Sequence, residues 1–320
     1  MNMSTTNKIQ KLDNLADLWE GVQERAIAAR SPATLRAYRF DWERYLAWTT
    51  AGGLAPLPCS GEQLAAYITH LDRSGLKTAS IDRALVSISQ AHRLAGLDSP
   101  TRTPIVREVL KGIKRINGTR PASAAALELG HLRRLVDLFG NETTHIRDRA
   151  ILLLGWSAAL RRSEIVAIDR ADLSFVAEGL ILTLMRSKTD QEGAGHKIGI
   201  PFGRSLCPVI ALREWLQLLP DDDTSAVFRR IWKGGRISGA RLHATAINTI
   251  VKRAIAAGGY DPDLYSAHSL RSGFATSAAA AEVEERYIMT HTRHRSITTA
   301  RRYIQEGSLF LNNPLDKLLS

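Results

Sequence analysis

"THTRHRSITTARRYIQ", residues 290–305, sets two histidines, four arginines and one tyrosine within sixteen residues. A tyrosine in that much positive charge has two plain explanations. It lies in a basic helix face along a nucleic-acid backbone, or it is simply packed beneath a solvated surface. Around the stretch, apolar residues recur at helical spacing, predicting helices over 268–281, 283–289, 296–304 and 307–319. The C-terminal third therefore reads as helical, and the fold class as mainly α.

The same spacing continues toward the N-terminus. Helices are expected over 12–30 and 32–50, divided by Ser31-Pro32 with Ser as cap and Pro at the first helical position. Others follow at 60–73, 77–95 and 103–117, which makes residues 12–117 a helical bundle. In the last of these, Arg107, Lys111, Lys114 and Arg115 fall along one side, a solvated face or a contact for DNA. "NGTRPASA" (117–124) stacks turn and breaker residues between two helical patterns, as a linker would. The expected division is an N-terminal helical domain at 1–118, a linker at 119–124 and a second domain at 125–320. The second domain should hold helices at 125–139, 144–159, 162–168, 203–218 and 242–257. Its one interruption is "GLILTLMRSKTDQEGAGHKIGIP", where strand-like runs at 179–186 and 196–201 flank a polar loop and predict a small antiparallel β-hairpin.

With 320 residues and a net charge of +11, the chain is long enough for two domains and basic enough to expect a polyanionic partner. Both parts share the excess: 17 Lys and Arg against 11 Asp and Glu up to residue 120, then 26 against 21. Nucleic acid is the expected partner, with an anionic membrane surface as the alternative. Cys59 and Cys207 are too few for a disulfide framework or a cysteine zinc site. The polar N-terminus and the shortness of the run "AILLLGWSAAL" predict a soluble, cytoplasmic chain with no membrane association.

Several chemistries lack support. There is no G-x-x-x-x-G-K-[ST] loop for nucleotide hydrolysis and no H-E-x-x-H or Cys/His set for a metal. "DDD" at 221–223 follows Pro220 and reads as a solvated turn. Three short stretches remain. "AALRRSEI" (158–165) sets Arg161 and Glu164 three apart, "HSLRSG" (268–273) does the same for His268 and Arg271, and His294 precedes Tyr303 by nine residues. Taken alone, each is more ordinarily a salt bridge or a satisfied polar face.

In combination and order, these elements resemble the tyrosine recombinase (phage integrase) family, in its Cre-like and Xer-like branches. "SPATLRAYRFDWERYLAW" (31–48) is similar to the first core-binding helices of that family. The resemblance implies site-specific recombination through a 3′-phosphotyrosyl intermediate, with no cofactor or metal. The implied site is Arg161, Glu164, the hairpin Lys188, His268, Arg271, His294 and the nucleophile Tyr303. It further implies four protomers on two DNA sites, linked through 307–319. Two departures stand out: Ala159 and Arg293 occupy positions where the family commonly has Gly. The alternatives are a non-catalytic DNA-binding regulator with the same fold and a topoisomerase IB-like relaxing enzyme.

The chemistry of the residues agrees. Two guanidiniums can fork onto the oxygens of a phosphodiester as a fifth oxygen approaches, and His294 would add a donor. A phenol of unperturbed pKa ~10 is only about a thousandth ionised at neutral pH, so Tyr303 needs a positive field or a base. His268, held by Glu164, is the expected base, and Lys188 the expected proton donor to the leaving 5′-oxygen.

Overall fold

The computed structural model describes residues 32–118, 124–184, 195–293, 297–307 and 318. The chain divides into two compact units, Met1–Ala122 and Ser123–Ser320. The helix expected at 12–30 lies outside the described residues, as does all of the one expected at 307–319 except its first residue and Leu318.

The first unit is built from helices α1 (Pro32–Ala51), α2 (Gly61–Arg73), α3 (Thr78–Leu94) and α4 (Pro104–Asn117). Ser60 caps α2 by accepting from the Gln63 N–H at 3.1 Å. The apolar stripes Leu64, Tyr67, Ile68, Leu71 and Ile81, Ala84, Leu85, Ile88 face one core with Tyr45, Val106 and Ile113. Burying each large apolar side chain contributes about 1.5–3 kcal/mol. Tyr45 and Tyr67 meet edge to face, with centroids 4.9 Å apart. Asp41 is fully buried, and it is tolerated there because Arg44 (2.8 Å) and Arg83 (2.6 Å) both reach it, tying α1 to α3. Along α4, Lys114 pairs with Asp82 at 2.9 Å, while Arg107, Lys111 and Arg115 remain exposed.

The second unit centres on α6 (Thr143–Ser157), whose run Ala150–Gly155 is buried on every side. Around it lie α5 (Leu129–Asp137), α7 (Arg162–Ala167), α8 (Pro208–Leu218), α9 (Ala244–Ala257), α10 (His268–Ala280), α11 (Glu285–Thr292) and α12 (Ile297–Gly307). A three-stranded antiparallel sheet joins β1 (Leu173–Val176), β2 (Gly179–Leu184) and β3 (His196–Pro201), in register Leu182↔Ile198 between the last two. Leu180, Leu182, Ile198 and Ile200 fill its buried face, which is the alternation the sequence predicts.

Four expectations change. Residues 125–128 are extended, because the Ala125 and Leu127 N–H groups donate to the carbonyls of Leu264 and Ser269; α5 starts only at Leu129. α8 starts at Pro208 rather than 203, since the residue before a proline avoids helical backbone; Cys207 Sγ accepts from the Ile210 N–H instead. Besides β1, a second hairpin, β4 (Arg229–Ile231) with β5 (Ile237–Arg241), adds to the single sheet expected. Finally, the helix expected over 283–289 lies at Glu285–Thr292; the turn at 221–223 is exposed as expected, and Asp222 there also holds the fully buried guanidinium of Arg229 at 2.7 Å.

Candidate active site

The apolar helix α6 ends at a sharp turn in which Ala159 adopts φ +48°. This left-handed region costs a non-glycine residue about 1–2 kcal/mol. The turn delivers Arg161 to the N-cap of α7, where Glu164 reaches back. One carboxylate oxygen accepts from the Arg161 backbone N–H at 2.9 Å and the other from its Nη1 at 2.6 Å. Arg161 and Glu164 therefore form the pair their spacing predicted.

His268 and Arg271 stand in the first turn of α10. That helix is pressed against the extended segment 125–128. A Cβ at Gly273 would lie 1.9 Å from the Leu127 carbonyl oxygen, so only glycine permits this approach. Arg271 is buried, and its Nη1 donates to the Ala159 carbonyl at 2.8 Å. Its Nη2 is buried without an acceptor among the described residues. Burial, then the neighbouring Arg161 and Arg293, push the Arg271 guanidinium down to about 9, still charged at neutral pH.

Tyr303 arrives on α12, which lies against α10. Its ring packs with Ala275, Ala279 and Ile288, and its Oη stands 3.0 Å from His268 Nε2. Closeness of the two helices depends on Gly307, whose added Cβ would meet the Thr276 carbonyl oxygen at 2.2 Å. In Gly307→Ala, α12 should lift away from α10 and carry Tyr303 from His268. The expected result is roughly 10²-fold slower attack on DNA, the cost of about 1 Å of misplacement. Single-turnover capture on nicked duplexes would measure it, alongside a lowered Tm where a helical Gly→Ala change is ordinarily neutral or stabilising.

His268 keeps an edge open to solvent although protein surrounds most of its ring. That surrounding first, then the charges of Arg271 and Arg161, lower its pKa from the ordinary 6.5. One expectation fails here: Glu164 does not hold His268. Its oxygens bind Arg161 and, at 3.0 Å, Arg293 Nη2. Burial alone would raise the Glu164 pKa, but Arg293 and Arg161 hold it below its ordinary value.

Arg293, met in the sequence only as a departure from glycine, is the residue that motif reading missed. It caps α11 in left-handed backbone at φ +56° and turns its guanidinium inward onto the carbonyls of Ala158 (3.1 Å), Ala159 (3.0 Å) and His291 (2.8 Å). The signal available was that both departures, Ala159 and Arg293, occupy left-handed positions where glycine is the easy residue. Lys188 and His294 lie outside the described residues. The described site thus gathers three guanidiniums, one carboxylate, a neutral-leaning imidazole and a phenol, an excess of positive charge suited to an anionic phosphodiester.

Residues 126–308 match the Phage integrase family, and residues 24–95 match the phage integrase N-terminal SAM-like domain. The chain is 33% identical over 317 residues to an integrase/recombinase xerD homolog of Selenomonas ruminantium, covering 97% of this chain and 92% of that protein. It is 24% identical over 320 residues to recombinase cre of Escherichia phage P1, covering 94% and 90%. The fold is like that of a lambda integrase (75–356) dimer bound to a COC′ core site, with TM-score 0.61, 19% identity and coverage of 91% and 95%. The family model matches more than half of the chain, and 97% of the chain aligns with the Selenomonas relative. The chain therefore belongs to the phage integrase family and is a site-specific tyrosine recombinase.

Proposed function

We propose that Tyr303 is the nucleophile of this recombinase, with Arg161 and Arg271 as the clamp on the scissile phosphate and His268 as the base. The reading rests above all on one contact, the 3.0 Å between Tyr303 Oη and His268 Nε2 beside two arginines. As Tyr303 Oη attacks phosphorus, its proton passes to Nε2; the Tyr–phosphate bond forms and the bond to the 5′-oxygen breaks. Arg161 and Arg271 bind the oxygens on which charge gathers, and the orphaned Nη2 of Arg271 is a donor awaiting such an oxygen. Lys188 gives the leaving 5′-oxygen its proton, and His294 adds a donor to the phosphate. The product is a 3′-phosphotyrosyl link and a 5′-hydroxyl. Attack by a second strand's 5′-hydroxyl reverses the step and frees Tyr303. Phosphoester replaces phosphoester, so the cycle needs no nucleotide hydrolysis, cofactor or metal.

Within the cell, residues 1–118 would bind duplex DNA through faces such as Arg107, Lys111 and Arg115, with 119–124 as linker and 125–320 as the catalytic domain. Four protomers on two DNA sites, joined through 307–319, would complete exchange. Lambda integrase, a relative in fold, forms a dimer on its core site.

The test is covalent capture on nicked duplexes tiling the DNA around its own gene, in chelator, with the products run on a denaturing gel. An adduct resistant to denaturation supports the reading; salt-sensitive binding without any adduct would favour a regulator that binds but does not cut.

The lowered pKa of His268 sets a pH dependence. A histidine whose pKa is depressed stays neutral further into acid, so the acid limb of adduct formation should be centred below the ordinary histidine value of 6.5. A rate profile whose acid limb is centred above the ordinary histidine value would rule out this role for His268.

A further inference from the structure

Arg293 sits in backbone that glycine would occupy without strain, yet the chain places there the largest cationic side chain available. Strained backbone persists where the surroundings over-determine it. Here the surroundings are four acceptors: the carbonyls of Ala158, Ala159 and His291, and one oxygen of Glu164. Two of these acceptors are shared. The Ala159 carbonyl also accepts from Arg271 Nη1 at 2.8 Å, and the same Glu164 oxygen also accepts from the Arg161 backbone N–H at 2.9 Å, while the other oxygen of that carboxylate accepts from Arg161 Nη1 at 2.6 Å. Arg293 therefore stands between the two clamp arginines, joined to each through a common acceptor. Its side chain is 6% exposed, so it has no open face for DNA and acts through its neighbours.

We propose that Arg293 is a positioning residue that locks Arg161 and Arg271 into one clamp, by bridging the Glu164 carboxylate and the Ala159 carbonyl from the C-terminal end of α11. The inference rests on the reading of Arg161 and Arg271 as the phosphate clamp. A lysine cannot replace it, because a single ammonium lacks the planar fork that reaches a carboxylate and three backbone carbonyls together.

The experiment compares the full-length parent, Arg293→Gly and Arg293→Lys in single-turnover adduct formation on the nicked duplexes above, with the Kd for the same DNA and the Tm. Arg293→Gly removes the bridge and relieves the backbone. The expected result is adduct formation slower by roughly tenfold or more, with Kd within about twofold of the parent. Arg293→Lys should remain about as slow as Arg293→Gly. A parent-like rate in Arg293→Gly, recovery of the full rate by lysine, or parallel losses in rate, Kd and Tm would each overturn the proposal. An absence of adduct from the parent, or an adduct persisting in Tyr303→Phe, would instead overturn the site reading beneath it.

Discussion

Tyr303→Phe is expected to abolish the covalent protein–DNA adduct while DNA binding persists. The substitution removes one oxygen and leaves the ring that packs against Ala275, Ala279 and Ile288 in place. The lost contact is the one to His268, 3.0 Å away. A single hydrogen bond of this kind contributes about 0.5–1.5 kcal/mol to stability, so the fold survives. Catalysis should not, because in the proposed mechanism the missing oxygen is the atom that attacks phosphorus. No other described tyrosine is set among these cations: Tyr45 and Tyr67 are buried in the other unit, where burial raises the pKa of both phenols. Denaturing gels of parent and variant on the same nicked duplex, with retention assays in parallel, check both halves. An adduct in the variant would transfer the nucleophile's role elsewhere.

Arg271→Met should separate activity from stability. Methionine keeps much of the buried volume of the arginine stem and removes its charge. That charge is held at a cost, since burial and the neighbouring Arg161 and Arg293 push the guanidinium down, and its Nη2 has no acceptor among the described residues. Removing it relieves the repulsion, while Arg293 still donates to the Ala159 carbonyl. The Tm is therefore expected to hold or rise. Adduct formation should fall by about 10²–10³-fold, the usual consequence of deleting one donor to a transition-state oxygen. Thermal melts and single-turnover rates measured on one preparation test the trade-off. A large fall in Tm would make Arg271 a structural residue first.

Much of this was legible in the linear sequence. Periodicity located the helices because apolar side chains recur with the helical turn, and α2, α3 and α4 lie within one residue of their expected bounds. Failures came where a tertiary partner overrode local preference. Residues 125–128 read as helix, but their N–H groups are taken by carbonyls at Leu264 and Ser269, far along the chain. The triplet 221–223 is the exposed turn its sequence predicts, but its ion pair with the buried Arg229 is invisible without the fold. β1 and the β4–β5 hairpin are short, and short strands carry little alternation to read.

The sequence by itself determined the two-part helical organisation, the basic character and the identity of the clamp, base and nucleophile candidates. The organisation and the charge follow from residue type and spacing; the candidate roles follow from the resemblance to tyrosine recombinases that those residues carry in combination. Only the tertiary structure decided how they share partners. Glu164 turns to Arg161 and Arg293 rather than to His268, Tyr303 comes within reach of His268 because Gly307 lets two helices close, and Arg293 enters the site from a strained cap. The physical reason is that a hydrogen bond depends on where two atoms end up in space. For groups as far apart in the chain as residues 159, 271 and 293, that separation is set by the packing of the core and not by any local pattern.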